Sequence, residues 1–324
     1  MSIPDLLGRT ETAEQPRVSI VIPCYRDEDA VPTLFARLGP VMDSLDAPAE
    51  LILVDDGSPD RTALRAIELA RDFSHPTSVV RLSRNFGQHP AVFAGFEVSR
   101  GDVVVTLDSD LQYPPEEIPR LIEQLAPPEY PVVSGFREQR RDRWSRRQLT
   151  RLMSHWLGRQ TGSPLKDYGS MFRAYDRSVI EQLLRFRERR RYIPSLVGWL
   201  GVGVREIPVA HDARGEQGSR YRLRPLVDML LDMVTGYSTF PLRTVTLAGM
   251  FASLLGFVAT VGLGVYRIFV GAGVSGLVSA FAVLFFLIGV QLFLLALIGE
   301  YVGRIYIEAK SRPYYLVAEV TTNR

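Results

Sequence analysis

The sequence predicts an α/β protein. Its core is a mostly parallel sheet with helices on both faces, followed by an amphipathic interfacial helix and a two-helix transmembrane hairpin. Three observations carry this. Between Arg17 and Val133, short runs rich in Val, Ile and Leu alternate with helical stretches, the βαβ pattern of a parallel sheet. Several of these runs are apolar throughout rather than at every second residue, as in strands covered on both faces. Finally, residues 244–266 and 268–299 hold no charged side chain, and either stretch is long enough to cross a hydrocarbon core of roughly 30 Å.

The elements follow in order. Arg17–Ile22 (RVSIVI) reads as a buried strand. Its end, residues 23–28 (PCYRDE), turns into a helix that runs to Leu45. Leu51–Val54 is a second strand, followed by Asp55-Asp56-Gly57-Ser58, with Ser58 as N-cap and Pro59 at the first helical position of the next helix. Ser78–Leu82 is a third strand, residues 83–90 a polar loop and Ala91–Val98 a short helix. Val103–Leu107 is the fourth strand, and Val-Val-Val here is a buried sequence. Pro114-Pro115-Glu116-Glu117 opens another helix, with proline and acids where a helix N-terminus favours them. Val132 and Val133 mark a fifth strand. Arg143–Leu157 reads as a basic helix, Ser170–Tyr175 as a strand, Asp176–Phe186 as a helix and Arg205–Val209 as a strand. Pro225–Tyr237 sets Leu226, Met229, Leu230, Met233 and Val234 at helical spacing behind Arg220, Arg222 and Arg224. That pattern suits a helix lying in the membrane interface, and a core-facing amphipathic helix is the alternative.

The candidate spans are Val245–Val265 and Val278–Ile298, about 20 residues each. Arg243 precedes the first; Arg304, Lys310 and Arg312 follow the second. The positive-inside rule then places both termini and the N-terminal domain in the cytoplasm. The domain boundaries are a cytoplasmic α/β domain over 1–222, an interfacial region over 223–242, the hairpin over 243–310 and a cytoplasmic tail over 311–324. Residues 1–15 carry no apolar signal-peptide core. The single cysteine, Cys24, excludes an internal disulfide and a cysteine-based metal site, which fits a reducing compartment. The net charge of +2 hides a basic tract: Arg137–Arg151 holds seven Arg against Glu138 and Asp142.

Three acidic loops follow three of the strands: Asp27 with Glu28, Asp55 with Asp56, and Asp108 with Asp110. In a parallel sheet these strand ends lie on one edge, where ligands bind. An Asp-x-Asp there suits Mg²⁺ or Mn²⁺ with a bound phosphate; a plain polar turn is the other reading. No Gly-x-Gly-x-x-Gly or Walker A sequence accompanies the strands, which argues against the dinucleotide and P-loop classes. Carboxylates to hold a base and ribose, and a cation to bridge a diphosphate, together suit a nucleotide-sugar.

These residues carry a resemblance. Segments 18–25 (VSIVIPCY), 54–58 (VDDGS), 82–89 (LSRNFGQH), 107–112 (LDSDLQ) and 166–175 (KDYGSMFRAY) resemble family 2 glycosyltransferases of the polyprenyl-phosphate class. So do Pro241-Leu242-Arg243 before the hairpin and residues 299–306 (GEYVGRIY) after it. The resemblance is nearest to bacterial undecaprenyl-phosphate transferases for glucose and for 4-formamido-arabinose. It implies a GT-A-type, Rossmann-like sheet. It also implies that Pro23, Tyr25, Asp27, Asp56 and Asp108 bind the donor nucleotide, and that Asp108, Asp110 and Gln112 hold Mg²⁺ or Mn²⁺. Arg137, Arg146 and Thr150 would bind the acceptor phosphate; a guanidinium fork suits that task. Asp167 would line the sugar pocket, so Asp110, Asp167 and Arg137 form the implied catalytic set. The chain departs from the family at Arg26-Asp27, where Asn-Glu is usual, and at Arg220, which stands for a lysine in the loop 214–221. Gln139 and Trp144 lack the spacing of a processive-synthase motif.

The implied reaction moves one sugar from a UDP-sugar to undecaprenyl phosphate, with inversion, for envelope glycan or lipid A modification. Two alternatives stand beside it: GDP-mannose as donor, and an inactive membrane-anchored scaffold. The implied partners are the donor, the lipid acceptor, the bilayer and a second copy of the chain, with no nucleic acid. Gly249, Ala252 and Gly256 are small enough for close packing of a span.

Overall fold

The computed structural model describes residues 17–137, 170–188, 191–210 and 276–323, together with part of the stretch 247–269. The basic helix 143–157 and the interfacial helix 225–237 predicted from the sequence lie outside the described residues. Contacts divide the chain into two units, with boundaries at Ser219/Arg220 and Arg312/Pro313.

The first unit is built on one sheet. Its strands are β1 (Val18–Cys24), β2 (Ala49–Asp55), β3 (Thr77–Leu82), β4 (Val103–Thr106), β5 (Val132–Arg137), β6 (Arg173–Asp176), β7 (Val204–Val209) and β8 (Val317–Thr322). They lie in the order β7-β5-β6-β4-β1-β2-β3-β8. The pairs β1–β2, β1–β4, β2–β3 and β5–β7 are parallel; β4–β6, β5–β6 and β3–β8 are antiparallel. The sheet is therefore mixed and mostly parallel.

Helices cover both faces, as the apolar runs require. Val18, Ile20, Ile22, Leu51, Leu53 and Val105 meet α1 (Val31–Asp43), α2 (Thr62–Asp72) and α4 (Ile118–Glu123). The alternate residues Val21, Ile52, Val54 and Val104 meet α3 (Gln88–Val98), α5 (Arg177–Arg185) and α6 (Ile193–Trp199). Each such side chain, fully buried, contributes roughly 1.5–3 kcal/mol. Close packing leaves no room for a side chain at position 95. A Cβ on Gly95 would fall 2.2 Å from Val21 Cγ1, so α3 lies directly on β1. Arg37 on α1 forks onto Glu116, at 3.0 and 2.6 Å, and so ties α1 to the 3-10 turn Pro115–Glu117 that precedes α4. That guanidinium holds the Glu116 carboxyl below its usual range.

Several boundaries differ from the sequence reading, each for a physical reason. Ser58 does not cap α2, which starts at Thr62 with Arg61 at its N-cap. The Ser58 N–H is instead taken by Asp55 and its hydroxyl by the Arg26 N–H. α3 begins at Gln88 rather than Ala91, because Gly87 breaks the chain at φ +104 and Pro90 is tolerated in a first turn. β6 begins at Arg173 rather than Ser170.

The tail adds an element with no counterpart in the sequence reading: residues 317–322 form β8 on the edge of β3, and Tyr314 and Tyr315 pack against the core of the α3 face. Asn323 clasps the neighbouring turn, donating to the carbonyls of Ala70, Phe73 and His75 and accepting the Thr77 N–H at 2.7 Å. Asn323→Ala is expected to lower the stability of this unit by about 1–3 kcal/mol, because the Thr77 N–H loses its acceptor. Thermal melting of the purified full chain checks this; an unchanged melting temperature would show the clasp to be idle.

In the second unit, α7 (Gly276–Ala309) outruns the span predicted over Val278–Ile298. Its part Val283–Ala309 is long and apolar enough to cross a membrane. The described positions between 247 and 269 are helical. Leu294 lies against Gly249 and Leu287 against Gly256, so this segment and α7 run in opposite directions. Both present large apolar side chains outward, Phe251, Phe257, Phe285 and Phe293 among them.

Candidate active site

Parallel register builds the site. Val21 pairs with Thr106 and Cys24 with Asp55, so the loops after β1, β2 and β4 leave from one edge. β5 reaches the same edge, because β6 runs antiparallel to both β4 and β5. Thr106, Arg173 and Ser134 share one level, and the backbone of Arg137 lies beyond it toward the acidic loops.

The loop after β1 holds Tyr25, exposed, and Asp27, half-buried. One carboxylate oxygen of Asp27 accepts the Tyr25 N–H at 2.9 Å and the Ser109 hydroxyl at 2.6 Å. Asp27 thus ties the first loop to the third. Its own N–H donates to the Thr62 hydroxyl at the start of α2. Pro23 is buried within β1, and Cys24 beneath it is buried too. Burial pushes the Cys24 thiol up, and the carboxylates of Asp27 and Asp55 add to this.

The loop after β2 turns at Gly57, φ +65, where a Cβ would collide with the Arg84 backbone at 2.4 Å. Only glycine fits there. Asp55 and Asp56 are both buried, and burial holds both carboxyls above the usual range. Asp56 accepts the Phe86 N–H at 2.7 Å on one oxygen and the Gly87 N–H at 2.8 Å on the other. It therefore pins the start of α3. Next to that start, the His89 ring stacks edge-on against Tyr192, and its Nδ1 is shut off from solvent. Burial, with the Arg173 charge beside it, pushes His89 down to about 4, so it adds no charge at neutral pH.

The loop after β4 carries Asp108, half-buried, and Asp110, exposed. Gln88 donates its amide to Asp108 at 2.5 Å, and Asp110 accepts the Gln112 N–H at 3.0 Å across Leu111, whose φ is +54. Arg26, in the first loop, has φ +60. Positive φ in non-glycine residues is costly and gathers at functional sites. Among the described residues no group of three His, Cys, Asp or Glu side chains could hold a metal. Asp108 and Asp110, with Gln112 as an amide oxygen donor, still fit a hard divalent cation that completes its shell with phosphate and water, as Mg²⁺ and Mn²⁺ do.

The structure thus brings Tyr25, Asp27, Asp56, Asp108, Asp110 and Gln112 to one edge, with the backbone of Arg137. Arg146, Thr150 and Asp167 lie outside the described residues. Two residues assigned no role from the sequence join the edge: Ser109, through Asp27, and Gln88, through Asp108. The signal for Ser109 was its place between two acids; for Gln88 it was the quoted segment 82–89.

The chain is similar to several known proteins. A curated relative in Sodalis glossinidius, named undecaprenyl-phosphate 4-deoxy-4-formamido-L-arabinose transferase, is 43% identical over 303 residues, 93% of either chain. A protein of the same name in Pseudomonas paraeruginosa is 44% identical over 306 residues, 94% of this chain and 90% of its own. Among solved structures, glucosyl-3-phosphoglycerate synthase from Mycobacterium tuberculosis is 22% identical, with TM-score 0.46 over 65% of this chain and 75% of its own. The sequence profile of glycosyl transferase family 2 matches residues 19–184, which span all three acidic loops. The chain is a glycosyltransferase and belongs to family 2.

Proposed function

We propose that this glycosyltransferase moves one 4-deoxy-4-formamido-L-arabinose unit from a UDP-linked donor to undecaprenyl phosphate. The observation that carries the reading is the meeting of three acidic loops and the end of β5 on one sheet edge. Two relatives above 40% identity, matched over at least 90% of their own length, support the choice of sugar and acceptor. In this reading Tyr25, Asp27 and Asp56 frame the nucleotide. Arg137, Arg146 and Thr150 orient the acceptor phosphate, and Asp167 lines the sugar pocket. A phosphate oxygen of the acceptor attacks the anomeric carbon, and the bond from that carbon to the diphosphate breaks with its electron pair leaving on UDP. One displacement inverts the configuration. The attacking oxygen is already anionic at neutral pH, so the protein needs no strong general base; its work is orientation. A Mg²⁺ or Mn²⁺ at Asp108, Asp110 and Gln112 would supply neutralising charge for the departing diphosphate.

The same reading places the protein in the inner membrane, with 243–310 as a two-span hairpin, 223–242 in the interface and both termini cytoplasmic. The apolar exterior of α7 and its antiparallel neighbour supports this, and Gly249 and Gly256 let these two helices of one chain pack closely. The product would be a lipid-linked sugar monophosphate for envelope or lipid A modification.

The test incubates detergent-solubilised full chain with undecaprenyl phosphate and, separately, UDP-4-deoxy-4-formamido-arabinose, UDP-glucose and GDP-mannose, and reads lipid products by mass. A product with the first donor alone is expected. Product with GDP-mannose alone would move the donor class, and no product from any would leave only a membrane scaffold.

A further inference from the structure

We propose that Gln88 is a positioning residue of the cation loop: its side-chain amide fixes the Asp108 carboxylate before a divalent cation arrives. The inference rests on the metal reading of Asp108 and Asp110 given above.

The contact spans 20 residues of sequence and joins two elements that approach only in the folded sheet. Gln88 Nε2 donates to Asp108 Oδ1 at 2.5 Å. Its base is rigid. Asp56 holds the N–H groups of Phe86 and Gly87, immediately before Gln88. His89 stacks on Tyr192, and Gly95 lets α3 lie on Val21 without a gap. A side chain leaving the first turn of α3 therefore starts from a fixed point. The rest of the loop is tethered as well: Ser109 donates to Asp27, and Asp110 accepts from Gln112. Asp108, Ser109 and Asp110 are each tethered, and Gln88 is a tether of Asp108.

Fold stability does not explain this residue. Gln88 is exposed, and α3 has no side-chain cap at its N-terminus. The chemistry of the amide does explain it. A lysine or arginine at this place would bring a positive charge that repels the incoming cation. A neutral N–H donor orients the carboxylate, favours its anionic form and leaves the charge balance to the cation. Removing such an outer partner commonly costs 10–100-fold in metal affinity or activity.

The experiment measures Mn²⁺ alone binding to purified full-length protein in detergent, from the electron paramagnetic resonance signal of free Mn²⁺. Wild type is compared with Gln88→Met, which keeps the length and loses the donor, and with Asp110→Asn. Gln88→Met should weaken Mn²⁺ binding roughly 10–100-fold and leave the metal-free melting temperature within about a degree. In transfer assays the Mn²⁺ concentration for half-maximal rate should rise by the same factor, and added Mn²⁺ should recover rate. A residue that merely supported the fold would lose melting temperature and would not be recovered by Mn²⁺. Wild-type Mn²⁺ affinity in Gln88→Met, with binding lost in Asp110→Asn, overturns the role of Gln88 alone. Equal binding by wild type and Asp110→Asn overturns the metal reading of the loop, and the role of Gln88 with it.

Discussion

Asp110→Asn is expected to lower the rate of sugar transfer by roughly 10²–10³-fold, the loss typical when a charge that meets developing negative charge is removed. The fold should not change. The Gln112 N–H needs an oxygen at position 110, and the asparagine carbonyl can accept it as the carboxylate does at 3.0 Å. Asp110 is exposed, so no buried contact is lost. The substitution therefore separates chemistry from structure: one formal charge disappears and the turn stays. Transfer rates at saturating donor, together with thermal melts, decide the matter. Near-wild-type transfer would remove Asp110 from the cation site. A lower rate accompanied by a fall of several degrees in melting temperature would instead make Asp110 a turn residue.

Much of the edge was legible in the sequence because strand ends are. Val104–Thr106 is buried, and a run of β-branched residues that stops at two acids reads as a strand feeding a loop. Three such stops imply one edge wherever the strands are parallel. The hydrogen bonds that tie the loops together were not legible, because each joins residues distant in sequence. Ser58 next to a proline has the local signature of a helix cap, yet Asp55 and Arg26 claim it. Local signals describe what a residue can do alone, and here a neighbouring strand end offered it a different partner. β8 illustrates the same limit more strongly. VAEVTT is short, and its partner β3 lies far back in the chain on the other side of the apolar helices. Nothing near it in sequence announces that pairing. The reversed direction of β6 was hidden for the same reason: a short apolar run shows that a strand exists, not which way it runs.

Asp56 is the residue whose meaning changed most between sequence and structure, and its substitutions should divide two roles. The family resemblance implies that it binds the nucleotide; in the structure both of its oxygens hold the N–H groups of Phe86 and Gly87. Asp56→Asn keeps one acceptor and Asp56→Ala keeps none. Stability should therefore fall in two steps of about 1 kcal/mol each, since each lost bond leaves one N–H without its partner. Burial already holds the Asp56 carboxyl above its usual range. The folded state then takes up the proton more readily than the unfolded chain. Wild type gains on either uncharged variant as pH falls through the acid range, and loses that gain as pH rises through the folded-state value. Activity should fall by roughly 10²-fold in Asp56→Ala, because the start of α3 shifts and carries Gln88 away from Asp108; a displacement of about 1 Å is enough for such a loss. The two roles part on one comparison. If Asp56 acts by holding α3, Mn²⁺ affinity falls along with stability, in the order wild type, Asn, Ala. If it acts only on the nucleotide, UDP affinity falls while melting temperature and Mn²⁺ affinity stay at wild-type values, and the link from Asp56 through Gln88 to Asp108 is broken.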